Sequence, residues 1–233
     1  MEPFSYSIRS GWYNRTETPA AIAAKFLKTL DAFGRIDPIL ENWHVFEVRD
    51  WEVFPVALTL KKITALVKTN VSGADFDDPD PDQGYWISGE TSDIEGPGTL
   101  SFSATAGGKY AGETCFRVGA VDGPSDPELV TYPLFKQVLL AGIAIWPPVW
   151  ANACAFSMGY GDTPLIPGAP LFPSSRFHLS WLGYLSAPLA SGLDLPSDIL
   201  TERTPDGGVL MIAAERRLDP RDPDDLRRSR AVT

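Results

Sequence analysis

The chain has 233 residues, 44% of them hydrophobic, and its 30 acidic against 20 basic side chains give a formal net charge of −10. Such a length and apolar content suit a globular fold with a sizeable core, and an acidic balance without a basic stripe argues against direct binding of DNA or RNA. Only two cysteines, Cys115 and Cys154, and two histidines, His44 and His178, are present, none in a ligand-like spacing, so metal sites and histidine-based acid–base chemistry are disfavoured and reduced, buried cysteines are expected.

Met1 is followed by Glu2, Pro3 and a strand-like segment, not by a basic region and an apolar run. No secretory signal is expected, and the cytoplasm is the expected compartment. Phe4-Ser5-Tyr6-Ser7-Ile8 alternates large and small side chains and runs into Gly11-Trp12-Tyr13, which reads as an N-terminal strand. A helix follows: Thr18 is placed to cap it, Pro19 suits its first position, and Ile22, Phe26, Leu30 and Phe33 form one apolar face before Gly34. Ile36 to Trp43 reads as a short helical turn begun at Asp37-Pro38, with Ile39 and Trp43 on a common side. A second helix is expected from about Pro55 to Lys68, with Val56, Leu60, Ile63 and Val67 inward and Lys61, Lys62 and Lys68 towards solvent.

From Val71 to Gly98 the composition changes. The run Asp75-Phe76-Asp77-Asp78-Pro79-Asp80-Pro81-Asp82 precedes a strand candidate at Tyr85–Ser88, and Thr99–Ala104 and Thr114–Val118 flank a turn at Gly107-Gly108-Lys109-Tyr110. An antiparallel meander is expected. It carries the acidity: between Asp75 and Glu128 twelve acidic residues meet only Lys109 and Arg117, whereas the rest of the chain has eighteen of each sign.

Glu128 to Trp146 is helical by composition, and its apolar run from Val138 is stopped by Pro147-Pro148. The run is far short of the roughly twenty residues a membrane span needs, so a buried helix is expected and a membrane partner is not. Trp150–Phe156 reads as a strand, and Gly159–Pro173 as a loop dense in Gly and Pro. The stretch Phe177–Arg216, around which the rest is expected to pack, closes with two strand-like runs, Asp198–Thr204 and Gly208–Ala214, about Pro205-Asp206-Gly207. Proline fixes φ at the turn and Gly207 supplies φ > 0, which predicts a hairpin. Val209 to Ala214 is apolar at every position, as a strand covered on both sides requires. Asp222–Arg230 is a short polar helix, expected at the surface, with Arg227, Arg228 and Arg230 near its C-terminal end. The element order is not a βαβ alternation. It predicts one α+β domain, residues 1–233, with a mainly antiparallel sheet and helices packed against it.

Three motifs suggest chemistry. Ala155-Phe156-Ser157-Met158-Gly159 imitates a nucleophile elbow with Ser157 as nucleophile and Asp162 and His178 behind it, but four prolines between Tyr160 and Pro173 forbid the helix such an elbow feeds. Asp78, Asp80 and Asp82 imitate a calcium loop, but position twelve is Gly89 instead of a glutamate, so no metal is predicted and a solvated acidic loop is the plainer reading. Among the seven tryptophans, Trp43, Trp146, Trp150 and Trp181 sit in apolar patterns, while Trp12, Trp51 and Trp86 have polar neighbours and are candidates for exposure.

Ser10-Gly11-Trp12-Tyr13-Asn14-Arg15, Ile36-Asp37-Pro38 with Trp43, Trp146-Pro147-Pro148-Val149-Trp150 and Ser180-Trp181-Leu182-Gly183-Tyr184-Leu185-Ser186 resemble, in order and spacing, the immunity protein 52 family of bacterial polymorphic toxin systems. The chain departs from the family pattern at Ala213-Ala214-Glu215-Arg216, where Thr-Asp-Glu-Arg is usual, and at Asp219-Pro220, where Asn-Pro is usual. The resemblance implies a small cytoplasmic protein that neutralises a partner toxin, here a nuclease of the restriction-endonuclease-like class. It implies neither catalytic residue nor cofactor. A nuclease holds its polyanionic substrate with Lys and Arg, so Asp75, Asp77, Asp78, Asp80, Asp82, Trp86 and Glu90 are the candidate toxin-binding residues. A serine hydrolase using Ser157 and a binding module without a toxin are the alternatives; a toxin-like gene immediately upstream would separate them from the first reading.

Overall fold

The computed structural model describes residues 4–13, 15–49, 52–72, 81–92, 96–119, 124–157, 178–194, 197 and 199–232. Its largest feature is an eight-stranded sheet in which every neighbouring pair is antiparallel. In chain order the strands are β1 (Phe4–Tyr13), β4 (Tyr85–Glu90), β5 (Leu100–Ala106), β6 (Ala111–Val118), β7 (Trp150–Ser157), β8 (His178–Leu185), β9 (Leu200–Arg203) and β10 (Val209–Ile212). Across the sheet the order is β4-β5-β6-β1-β7-β8-β10-β9. A separate two-stranded hairpin joins β2 (Phe46–Arg49) to β3 (Glu52–Pro55).

The expected meander is present as β4-β5-β6. Along β5 and β6, Leu100, Phe102, Ala104, Phe116 and Val118 are buried while the alternating residues are more open, the period-2 signature of a sheet covered on one face. That covered face receives α1 (Pro19–Gly34) and α3 (Tyr132–Ile145), with α2 (Leu60–Thr69) against α1 and β4. Aromatic rings link the layers: Phe33 meets Phe102 and Phe116 edge-on, and Phe135 meets Phe116, Tyr6 and Trp181. All but the tilted Phe135–Trp181 pair are edge-to-face contacts, which are stabilising beyond area burial alone.

The two long helices begin where side chains satisfy their free N–H groups. Thr18 accepts from the Ala21 N–H at 3.2 Å and Thr131 from the Leu134 N–H at 3.4 Å, each followed by a proline in the first turn. Three expectations are corrected here. The helix expected from Pro55 starts at Leu60, because Thr59, not Pro55, precedes its first turn and caps it, and Pro55 ends β3. The helix expected from Glu128 starts at Tyr132, behind Thr131. In the turn at Pro38–Leu40, capped by Asp37, the buried residue beside Trp43 is Leu40, while Ile39 is exposed.

The C-terminal hairpin forms as expected: Gly207 has φ 83°, and its N–H donates to the Thr204 carbonyl at 2.9 Å. Asp206 accepts from the hydroxyls of Thr204 and Tyr184, tying the turn to β8. Burial acts to raise the Asp206 pKa, but these accepted bonds outweigh it and hold the carboxyl below its ordinary value. β10 is buried at all four positions, and β9 is an edge strand. After the short helix α4 (Ala187–Ala190), the last helix, α5 (Pro223–Val232), packs on the neighbouring strand β8 with Val232 against Gly183. This helix was expected at the surface, but Asp225, Leu226, Ser229 and Val232 are buried. The stretch Phe177–Arg216 is likewise not the centre of the fold. That place belongs to β1, held between β6 and β7 along its length.

Candidate functional site

Two segments far apart in sequence meet at the Tyr13 end of β1. The Val149 N–H donates to the Gly11 carbonyl at 2.8 Å, and an Arg15 Nη donates to the Pro147 carbonyl at 2.9 Å. Trp12 stacks on Trp146, ring centres 5.7 Å apart and 16° from parallel. Arg15 lies 4.1 Å from the Trp12 ring centre and Lys25 lies 5.3 Å from that of Trp146. Glu17 joins the two cations, 2.6 Å from each. The motif residues Gly11, Trp12, Arg15, Trp146 and Pro147 are thus one cation–aromatic cluster, and Trp12 is buried, contrary to the expectation of exposure.

Glycine makes this corner possible. A Cβ on Gly112 would lie 2.2 Å from the Trp12 indole nitrogen, and one on Gly11 would lie 2.7 Å from the Trp150 ring. Trp12 therefore lies over Gly112, and Trp150 over Gly11 on the other face. On that other face, register aligns Trp86, Thr105, Glu113, Gly11 and Trp150 in one row from β4 to β7. Tyr13 and Trp86 are 62% and 45% exposed, and Glu113 is exposed, so the row offers side chains that a partner can reach. A cleft of about 280 Å³ opens here, lined by Gly11, Tyr13, Thr105, Glu113 and Trp150 among others.

Of the expected binding residues, Trp86 lies in this row and Glu90 on the same face at the far end of β4. The Glu90 backbone exchanges two hydrogen bonds with His44, which together with a bond from the Trp86 N–H to the Asn70 carbonyl covers much of the outer edge of β4. Asp82 forms an ion pair with Lys109, and its carbonyl accepts the Lys109 N–H at 2.7 Å, so it fastens the β5–β6 turn. Asp75, Asp77, Asp78 and Asp80 lie outside the described residues, as do Trp51 and Asp162. Glu113, Tyr13 and Trp150 were not among the expected binding residues. The available signal was the pairing of Trp with Gly in Gly11-Trp12 and, on β6, the alternation that puts Glu113 opposite the face of Thr114 and Phe116.

Ser157 is the last residue of β7, opposite Phe4, and the segment that would supply an elbow helix lies outside the described residues. Both cysteines are free, and burial pushes the Cys154 thiol up to about 12, so it carries almost no thiolate at neutral pH. Among the described residues no three potential metal ligands lie together, and no helix is long and apolar enough to cross a membrane.

The architecture is that of an α+β protein built on an eight-stranded antiparallel sheet, with Tyr13, Trp86 and Glu113 exposed at one end of the face opposite α1 and α3, and Arg9 and Arg117 further along that face. The chain belongs to the immunity protein 52 family, whose model matches residues 5–233. It is therefore an immunity protein of a toxin system, and membership implies a cognate toxin as its partner. A solved structure of the Pseudomonas aeruginosa T6SS protein PA0821 shares the fold with a TM-score of 0.55 at 16% identity, over 98% of this chain and 73% of that one. No curated protein matches.

Proposed function

We propose that this immunity protein neutralises a nuclease toxin by occlusion, docking the acidic end of its sheet against the toxin's basic substrate groove in the cytoplasm. One observation carries the reading: the segment from Asp75 to Glu128, which contains β4, β5 and β6, accounts for the whole net charge of −10. A groove that holds a polyanion is positive, and complementary potentials speed encounter and exclude the natural substrate. Neither the binder's own nucleophile nor a cofactor is needed for this action.

The test uses the toxin co-purified with this chain. Replacing Asp77, Asp78, Asp80 and Asp82 by asparagine is expected to slow association severalfold at low salt, with the difference shrinking as salt rises and the Debye length falls to ~8 Å at 0.15 M. Unchanged association at low salt would remove the aspartate run from the interface. A toxin without nuclease activity would remove the nuclease half of the proposal, and ester hydrolysis lost in Ser157→Ala would restore the hydrolase.

A further inference from the structure

The cleft beside Glu113 combines features that select one kind of guest. Its floor on this face is Gly11, which carries no side chain between Glu113 and Trp150 in the row and lies under the edge of the Trp150 ring, while Gly112 turns its missing side chain towards Trp12 on the covered face. Its aromatic lining comes from Tyr13 and Trp150, and Thr105 adds a hydroxyl. Glu113 supplies a carboxylate that is exposed and engaged by no hydrogen bond or ion pair among the described residues. At about 280 Å³ the space is at the lower limit for small-molecule pockets and suits a single large side chain.

The guest must be cationic to meet the carboxylate and planar to lie against the rings. A guanidinium satisfies both conditions, because it is flat, always charged and weakly hydrated, whereas an ammonium is compact and gives up its water less readily. The same corner already contains the pairing in intramolecular form, with Arg15 lying 4.1 Å from the Trp12 ring centre and ion-paired to Glu17. We infer that the cleft between Tyr13, Trp150 and Glu113 seats an arginine side chain of the cognate toxin. This rests on the immunity reading and gives the acidic end of the sheet a fixed anchor, as distinct from the steering supplied by the aspartate run. An arginine held between rings and a carboxylate at a desolvated interface is the usual form of a binding hot spot.

Two measurements decide it. The first is a titration of the full chain with N-acetyl-arginine amide, followed by NMR at the Gly11, Tyr13 and Glu113 amides and the Trp150 indole N–H. Saturable shifts at these positions are expected with a Kd on the order of millimolar, weakened about fivefold in Glu113→Gln and several-fold in N-acetyl-lysine amide titrations. Equal shifts from uncharged N-acetyl-norleucine amide would overturn the assignment. The second measurement is toxin affinity, expected to fall at least about tenfold in Glu113→Gln and in Tyr13→Ala, with both variants retaining the wild-type circular dichroism spectrum. Glu113→Gln that binds and neutralises the toxin as well as wild type would overturn the cleft as a toxin contact and leave the immunity reading standing. Arginine-amide binding by a chain that neutralises no toxin would instead defeat the immunity reading and retain the arginine site.

Discussion

An alanine at position 112 would set its Cβ 2.2 Å from the Trp12 indole nitrogen, closer than carbon and nitrogen can approach without one of them moving. Trp12 cannot yield easily, since Trp146 is stacked on one side of the cluster, Arg15 lies over its ring, and the Trp146 N–H is fixed to Thr29 at 2.8 Å. Gly112→Ala is therefore expected to destabilise the fold by about 1–3 kcal/mol, the usual cost of overpacking a filled core. Urea denaturation measures this; a midpoint equal to wild type would mean that the ring has room to turn. The residue also shows where reading the sequence stops short. Ser10, Asn14 and Arg15 are polar neighbours that make Trp12 look exposed, and only the pairing of Trp12 with Gly112 across β1 and β6 reveals that the ring lies flat on a strand and is buried. Trp86, also among polar residues, lies on the open face of β4 and is exposed as its neighbours suggest.

The helices divide according to how many local signals coincide. For α1, a capping threonine, a proline in the first turn and an apolar face repeat at the right spacing, so its extent can be read from the chain. For α2 a proline five residues before the helix imitates a start signal, and the β2–β3 hairpin ahead of it has no Asn-Gly or Gly at its turn to announce it. For α5 the difficulty is chemical, because part of its buried face is polar. Asp225, with 3% of its side chain exposed, accepts from both Arg216 Nη atoms at 2.6 and 3.0 Å and from the Asp219 N–H at 2.8 Å. The Glu215-Arg216 and Asp219-Pro220 positions of the family pattern flank this tie, which seats α5 over β8. Asp225→Ala leaves the Asp219 N–H without this acceptor and removes the inner partner of Arg216. The expected cost is about 1–3 kcal/mol, kept below that of a fully buried pair because Arg216 is largely exposed. Faster hydrogen exchange should appear first in α5 and the neighbouring edge of β8. Exchange unchanged in both would mean that the apolar contacts of Leu226 and Val232 suffice to hold the helix.

At the scale of the molecule, chain order and sheet order diverge, and this divergence hides the site from local patterns. β1 pairs with β6 about a hundred residues later and with β7 about forty residues beyond that, so Gly11, Glu113 and Trp150 converge from three segments whose alternation says only that each is a strand. The meander β4-β5-β6 and the hairpin β9-β10 are legible because their partners are consecutive and their turns carry glycine. The long-range pairing has a physical consequence. With β1 removed from the middle, β4-β5-β6 would lose its hydrogen-bonded connection to β7-β8-β10-β9, and Tyr6, Ile8 and Trp12 would leave a core that includes residues from both halves. Neither half then presents a complete apolar face, so partial unfolding exposes the shared core and is unfavourable at every intermediate stage. We expect one cooperative transition in urea, with tryptophan fluorescence and far-ultraviolet circular dichroism superimposing, as two-state behaviour requires. Because closing loops of this length precedes the contacts that stabilise them, refolding should occupy the slow range of milliseconds to seconds or longer. Fluorescence is the discriminating probe, since Trp12, Trp146 and Trp181 are buried around β1 while Trp86 reports the open end of the sheet. Two separated transitions would show that the halves on either side of β1 are independent units, and the single-domain reading of residues 1–233 would give way to two.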